Sequence, residues 1–241
     1  MKKIELSKEQ TDKATAILKK YKTFAAFSKN KEDAYSFTNI IGIKICPYCN
    51  IEYVYTVYDE KKKPVVRPDI DHFIPKNGKT GNPSLQLKLT NLIPSCFICN
   101  ERLKGSKVFS QNKYLHPYFD DFDSIMKFRI NMNDTDYLNE ANFQIVIKSH
   151  ENADMNDIKR AQNNIEVFKV NERYQFHKNE VVMLFKRMKR YNKGKIKEIE
   201  DLLAGENNKV TDLQFMFPEK YCEINNTSLG KLKRDIIERY L

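Results

Sequence analysis

The hydrophobic pattern changes character twice along the chain. Up to about Gly42 it has a helical period: Ala14, Ile17, Leu18 and Tyr21 recur at three- and four-residue intervals. Ser7 offers a cap, and Gln10 stands at the reciprocal position of a capping box. From Ile43 to about Asp120 the texture is strand and loop. Tyr53 to Tyr58 is rich in β-branched and aromatic residues and runs into a turn between Asp59 and Pro64. Val65, Val66 and Arg67 then lead into Asp71-His72-Phe73-Ile74, a predicted strand. A polar, Gly-containing loop from Pro75 to Pro83 follows, and Leu85 to Leu92 is predicted to return as the partner strand, stopped by Pro94. A short helix is expected from Asn100 to Lys104, closed by Gly105.

In the last part, Lys127–Met132 and Asn142–Lys148 alternate at period two and predict a hairpin. Val181, Leu184, Phe185, Met188 and Tyr191 form an apolar helical stripe, with Lys186, Arg187, Lys189, Arg190 and Lys193 on the other faces. That basic run is a solvated surface or a phosphate-contacting face. A final helix is expected from about Ser228 to Tyr240. The pattern predicts an α+β fold in three regions: a helical segment over 1–44, a strand-and-loop core over 45–120, and a hairpin-plus-helices region over 121–241. There is no repeat, low-complexity tract or Pro/Gly-rich linker to separate them.

Composition sharpens the picture in two respects. With 42 basic and 32 acidic residues the formal charge is +10, which favours a polyanionic partner, nucleic acid foremost. The N-terminal residues are charged where a signal peptide needs an apolar run, and no later run has the length of a membrane span, so a cytoplasmic location and no membrane partner are expected. Thiols stay reduced there, and four of the five cysteines stand as Cys46-Pro-Tyr-Cys49 and Cys96-Phe-Ile-Cys99. Paired CxxC knuckles present four sulfurs to one point and predict a closed structural Zn²⁺ site clamping the ends of an inserted strand-loop-strand unit. The competing reading is two unrelated pairs of buried thiols. Cys222, alone, is expected to be a small buried apolar residue.

Inside this clamp lie Asp71-His72 and Asn91, and Asn100 follows the last cysteine directly. An Asp-His pair on a strand is often a hydrogen-bonded couple and nothing more. Phosphodiester hydrolysis, however, needs a base for water and a cation opposite the developing charge. His72 can be that base. Asp71 falls on the opposite strand face in ideal geometry, and Asn100 offers a neutral oxygen to a hard ion such as Mg²⁺. Asn91 either serves the site or bonds backbone at a turn. His116 either touches substrate or packs, and His150 and His177 belong to no constellation.

Asp71-His72, Asn91 and Cys99-Asn100 resemble the HNH, or ββα-metal, endonuclease motif, in the subgroup stapled by two CxxC pairs. The phrases Asp71-His-Phe-Ile-Pro-Lys76, Asn91-Leu-Ile-Pro-Ser-Cys-Phe-Ile-Cys-Asn100 and Lys104-Gly105 are similar to that subgroup, as is Leu115-His-Pro-Tyr118 to a segment after its core. The resemblance spans Cys46 to Tyr118. It implies a zinc-stapled ββα-metal core and a DNA endonuclease with catalytic Mg²⁺ or Mn²⁺, RNA remaining open as substrate. His72 would be the general base, Asp71 and Asn100 would hold the catalytic ion, and Asn91 would orient His72 and its loop. The third motif letter is Asn where the name-giving pattern has His, which leaves the choice of metal open. A single such site cuts one strand, so double-strand cutting calls for a homodimer. The chain also resembles the HNH effector that works beside an ATPase in Septu-type anti-phage defence, which implies a restriction or defence role and an ATPase partner. The alternative is a zinc-stabilised nucleic-acid-binding module without cleavage.

Overall fold

In a computed structural model the chain is described for residues 1–77, 81–192, 194–195, 197–198 and 216–241. The N-terminal helices are α1 (Lys8–Leu18), α2 (Phe24–Lys29) and α3 (Lys31–Ile41). Ser7 and Gln10 form the complete capping box at the start of α1. Gln10 Nε2 also donates to the Ile40 carbonyl at 2.8 Å, tying the start of α1 to the end of α3. Gly42, at φ 69°, ends α3 in the left-handed conformation that a side chain disfavours.

The apolar stripes of these helices (Ala14, Ile17, Leu18, Phe27, Ala34, Phe37, Ile41) do not close on themselves. They pack with Ile70, Leu89 and Leu92 of the middle region as one hydrophobic cluster. A second and larger cluster runs from Cys46 through Phe73, Phe109 and Phe128 to Ile237, so the middle and C-terminal regions share a core.

The middle region carries a minimal hairpin, β1 (Val57–Tyr58) with β2 (Pro64–Val66), and a second antiparallel pair, β3 (Asp69–His72) with β4 (Leu92–Ser95). Asp71 lies opposite Ile93, and His72 opposite Leu92. A helical segment, Ile98–Lys104, follows β4 and is wound with π geometry. β3, β4 and this segment make a ββ-helix unit between the two clusters. The C-terminal region adds α4 (Phe122–Ile125), the hairpin β5 (Met126–Met132) and β6 (Phe143–Ser149), then α5 (Met155–Val167), α6 (Val170–Tyr174), α7 (Lys178–Arg190) and α8 (Gly230–Tyr240).

The hairpin, the stripe of α7 and the last helix lie where the pattern places them, while five expectations need correction. The stretch Leu85 to Asn91 is not a strand: it runs from the end of one 3₁₀ turn, Pro83–Leu85, through a second, Leu89–Asn91, because Asn82 and Asn91 make local turn contacts there. The return strand is Leu92–Ser95 with Pro94 inside it, tolerated because a strand in a two-stranded ladder has a free edge where a missing N–H leaves no gap. The helix begins at Ile98, inside the second knuckle. Cys222 is exposed, not buried. Only Val57–Tyr58 of the Tyr53–Tyr58 stretch is paired as strand, with an isolated bridge at Tyr53. Lys193 and positions 78–80 of the Pro75–Pro83 loop lie outside the described residues.

Beneath β5, Lys231 and Asp235 of α8 are wholly buried. Lys231 Nζ bonds Asp235 at 2.5 Å and Asp123 at 2.7 Å, Arg234 also bonds Asp123, and Asp235 accepts the Phe128 N–H at 2.8 Å. Charges so placed are tolerable only in mutual contact. Asp235→Ala is therefore expected to lower stability by about 3 kcal/mol, read as a reduced urea midpoint.

Candidate functional site

The site grows from its two knuckles. Cys46, Cys49, Cys96 and Cys99 are buried, and their sulfurs lie within 4.8 Å of one another. A tetrahedral ion with bonds of about 2.3 Å requires sulfurs about 3.8 Å apart, so the cluster fits a Cys₄ ion such as zinc. Residues of α6 hold the sulfurs from outside. Arg173 donates from Nη1 to Cys99 Sγ at 3.4 Å and from Nη2 to Cys49 Sγ at 3.7 Å, one sulfur of each knuckle. Tyr174 donates its hydroxyl to the Cys49 carbonyl at 2.8 Å.

Tyr48, inside the first knuckle, reaches β3. Its hydroxyl donates to Asp71 Oδ2 at 2.6 Å, and burial together with the Asp71 charge holds that hydroxyl well above its usual pKa. Lys104, at the end of the helix that begins in the second knuckle, donates to Asp71 Oδ1 at 2.6 Å and to the His72 carbonyl at 2.5 Å. Asp71 is 5% exposed and Lys104 2%. Both ends of the sulfur clamp thus grip the residue that precedes His72, and the carbonyl of His72 itself.

Strand alternation sends the imidazole of His72 the other way, toward the N-terminal helices. Its ring meets Phe24 edge-on with centroids 4.3 Å apart. Nε2 lies 3.0 Å from the Gln86 carbonyl, and Gln86 Oε1 in turn accepts the Phe24 N–H at 3.0 Å. A carbonyl oxygen only accepts, so Nε2 carries the proton and the neutral ring keeps its lone pair on Nδ1. Desolvation is the main cause of a lowered pKa; the Gln86 carbonyl opposes it and the Lys76 charge adds to it. Burial favours the neutral form of the half-buried ring, and among the described residues Nδ1 has no hydrogen-bond partner.

Asn91 pins the loop after β3. Its Oδ1 accepts the Ile74 N–H at 2.8 Å, while Nδ2 donates to the carbonyls of Ile74 at 3.0 Å and Leu85 at 3.2 Å. With all of these bonds to backbone, it shapes the turn that carries Gln86 to His72. His116 is 2% exposed, packs on Phe73 at 4.2 Å, accepts the Tyr118 N–H at Nδ1, and has its pKa pushed down to about 4 chiefly by burial. It is a packing residue.

The catalytic ion expected between Asp71 and Asn100 does not fit this arrangement. Both Asp71 oxygens are taken, one by an ammonium, and a second cation beside Lys104 would meet its charge at low dielectric. Asn100 turns its amide to Asp69 at 3.4 Å and Glu101 at 3.1 Å. Nothing in composition or spacing singled out Tyr48, Gln86, Phe24 or Arg173 as site residues; Lys104 stood out only as part of a motif phrase.

No protein-family model, no curated protein and no solved structure matches the chain. Among the described residues no helix is long and apolar enough to cross a membrane. The four-cysteine cluster within a mixed α and β fold is what the geometry establishes.

With zinc on the four sulfurs, Arg173→Gln removes a positive charge from a dianionic centre. Faster zinc transfer to a chromogenic chelator is expected, with little change before zinc is lost. Lys104→Met leaves Asp71 buried without its cation, a loss of about 3–5 kcal/mol. The His72 ring resonances should shift in that variant while zinc content, measured by metal analysis, is retained.

Proposed function

We propose that the chain is a zinc-stapled nucleic-acid phosphodiesterase of the HNH type, with His72 as general base. The observation that supports it best is the fixed tautomer of His72: Nε2–H spent on the Gln86 carbonyl, Nδ1 without a partner among the described residues, and burial favouring the neutral ring. In this reading Nδ1 takes a proton from water as its oxygen attacks phosphorus. The bond to the 3′ oxygen breaks in line, that oxygen takes a proton from solvent, and a 5′-phosphate remains. Zinc on Cys46, Cys49, Cys96 and Cys99 has no part in the chemistry and holds β3 and the helix in place. The surplus of positive charge suits a polyanionic substrate. Asp71 offers no free oxygen to Mg²⁺ or Mn²⁺, since it is already paired with Lys104 and Tyr48.

That same pairing favours a second reading, a zinc-stabilised nucleic-acid-binding module with a silent site. One experiment separates the two: incubation of the purified chain with single- and double-stranded DNA and RNA, with no added divalent ion, with Mg²⁺ and with Mn²⁺. Strand scission under any of these conditions supports the hydrolase; salt-sensitive binding without scission under all of them supports the module. The defence role and its ATPase belong to the same proposal, and co-purification of an ATPase is its check.

His72→Ala is expected to lower cleavage at least about 10²-fold with zinc content unchanged. Because the active form is the neutral imidazole and its pKa is lowered by burial, the rate should rise with pH to a plateau with a midpoint below the usual value of 6.5. Undiminished cutting by His72→Ala removes this residue from the mechanism.

A further inference from the structure

Attack of water on a phosphodiester gathers negative charge on the two non-bridging oxygens, and a cation must face them. Two ammonium groups bear on the imidazole of His72, those of Lys76 and Lys104. Lys104 is 2% exposed and spends its protons on Asp71 and the His72 carbonyl, so it cannot reach a bound strand. Lys76 is differently placed. It rides on the loop after β3, its Nζ lies 4.4 Å over the centroid of the Phe24 ring, and among the described residues no carboxylate stands within 4.0 Å of it. The same Phe24 ring also meets the His72 ring, at 4.3 Å. Ammonium and imidazole therefore share one aromatic neighbour, and the ring face attracts the cation and offsets part of the desolvation that lowers its pKa.

Phe24 owes its position to the N-terminal region. It opens α2 after the Thr23 cap, and its backbone N–H is bonded to Gln86, the residue that fixes the His72 tautomer. One aromatic side chain thus contacts both the ammonium and the imidazole.

Resting on the reading of His72 as base, we infer that Lys76 is the phosphate-gripping cation of this site, held beside His72 by Phe24, and that its ligand is the phosphodiester backbone of a nucleic acid strand. A compact ammonium reads charge and no base edge, so this contact is indifferent to sequence. It supplies, from the chain itself, the positive charge for which Asp71 offers no free ligand.

The test uses the full zinc-loaded chain and the variants Lys76→Met, Lys76→Arg and Phe24→Leu, each checked for zinc content and thermal midpoint. Lys76→Met should lower kcat/KM about 10²-fold, Lys76→Arg should recover part of the loss, and Phe24→Leu should fall between them. In parallel, binding of a phosphorothioate single-stranded oligonucleotide is measured against salt. Lys76→Met should bind several-fold more weakly at low salt, with the slope of log affinity against log salt reduced by about 0.7, whereas His72→Ala should bind like the parent. If nothing cuts but Lys76→Met loses binding and slope, the hydrolase reading fails and the phosphate contact stands. Parental cutting by Lys76→Met, or parental binding where no protein cuts, overturns the inference.

Discussion

Everything near His72 depends on two short knuckles being held at one point. Cys46–Cys49 and Cys96–Cys99 are far apart in sequence, and between them run both hairpins of the middle region and the loop that carries Gln86. Bringing the sulfurs within 4.8 Å closes that long excursion into a frame. Loop closure is costly in entropy, and a bound ion offsets it because binding free energy is available only to the closed form. Tyr48 from one knuckle and Lys104 from the helix of the other then converge on Asp71. A buried carboxylate left without either partner is strongly unfavourable, so the register of β3 is fixed from both ends of the clamp.

The two faces of β3 divide the work. Asp71 turns toward the sulfur side and serves architecture, and His72 turns toward α2, where the proposed base would stand. This division has a physical rationale. Alternation at period two places successive side chains in different surroundings, one dry and paired, the other half-wet with a single hydrogen bond that sets its tautomer. The N-terminal helices, which carry none of the motif residues, thereby become a wall of the site through Phe24 and the residues beneath it.

Local signals in the sequence were legible where the physics is local. The capping box of α1, the alternation of β5 and β6, the stripe of α7 and the doubled CxxC spacing each depend on residues a few positions apart. The opposition of Asp71 and His72 follows from the same strand periodicity. What the sequence withheld depends on distance. The partners of Asp71 come from 23 and 33 positions away, and the Gln86 carbonyl that fixes His72 comes from 14 away, with nothing in composition to single them out. Leu85–Leu92 is apolar at intervals that suit a strand, yet Asn82 and Asn91 use their side chains to bond nearby backbone, and the turns win. Cys222 is exposed because the segment around it folds into 3₁₀ turns at the surface, which a lone cysteine cannot announce.

Asn50, directly after the first knuckle, adopts a left-handed φ of 55° and turns its polar groups to the other end of the chain: Nδ2 to the Ile224 carbonyl, Oδ1 to the Lys231 N–H and its own carbonyl to the Leu229 N–H. The knuckle is thus buttressed by residues that leave the ribosome some 180 positions after it. During synthesis the early cysteines emerge long before that support exists. Until α8 has been made, Asn50 lacks those three bonds, so the finished form of the first knuckle is out of reach of the growing chain.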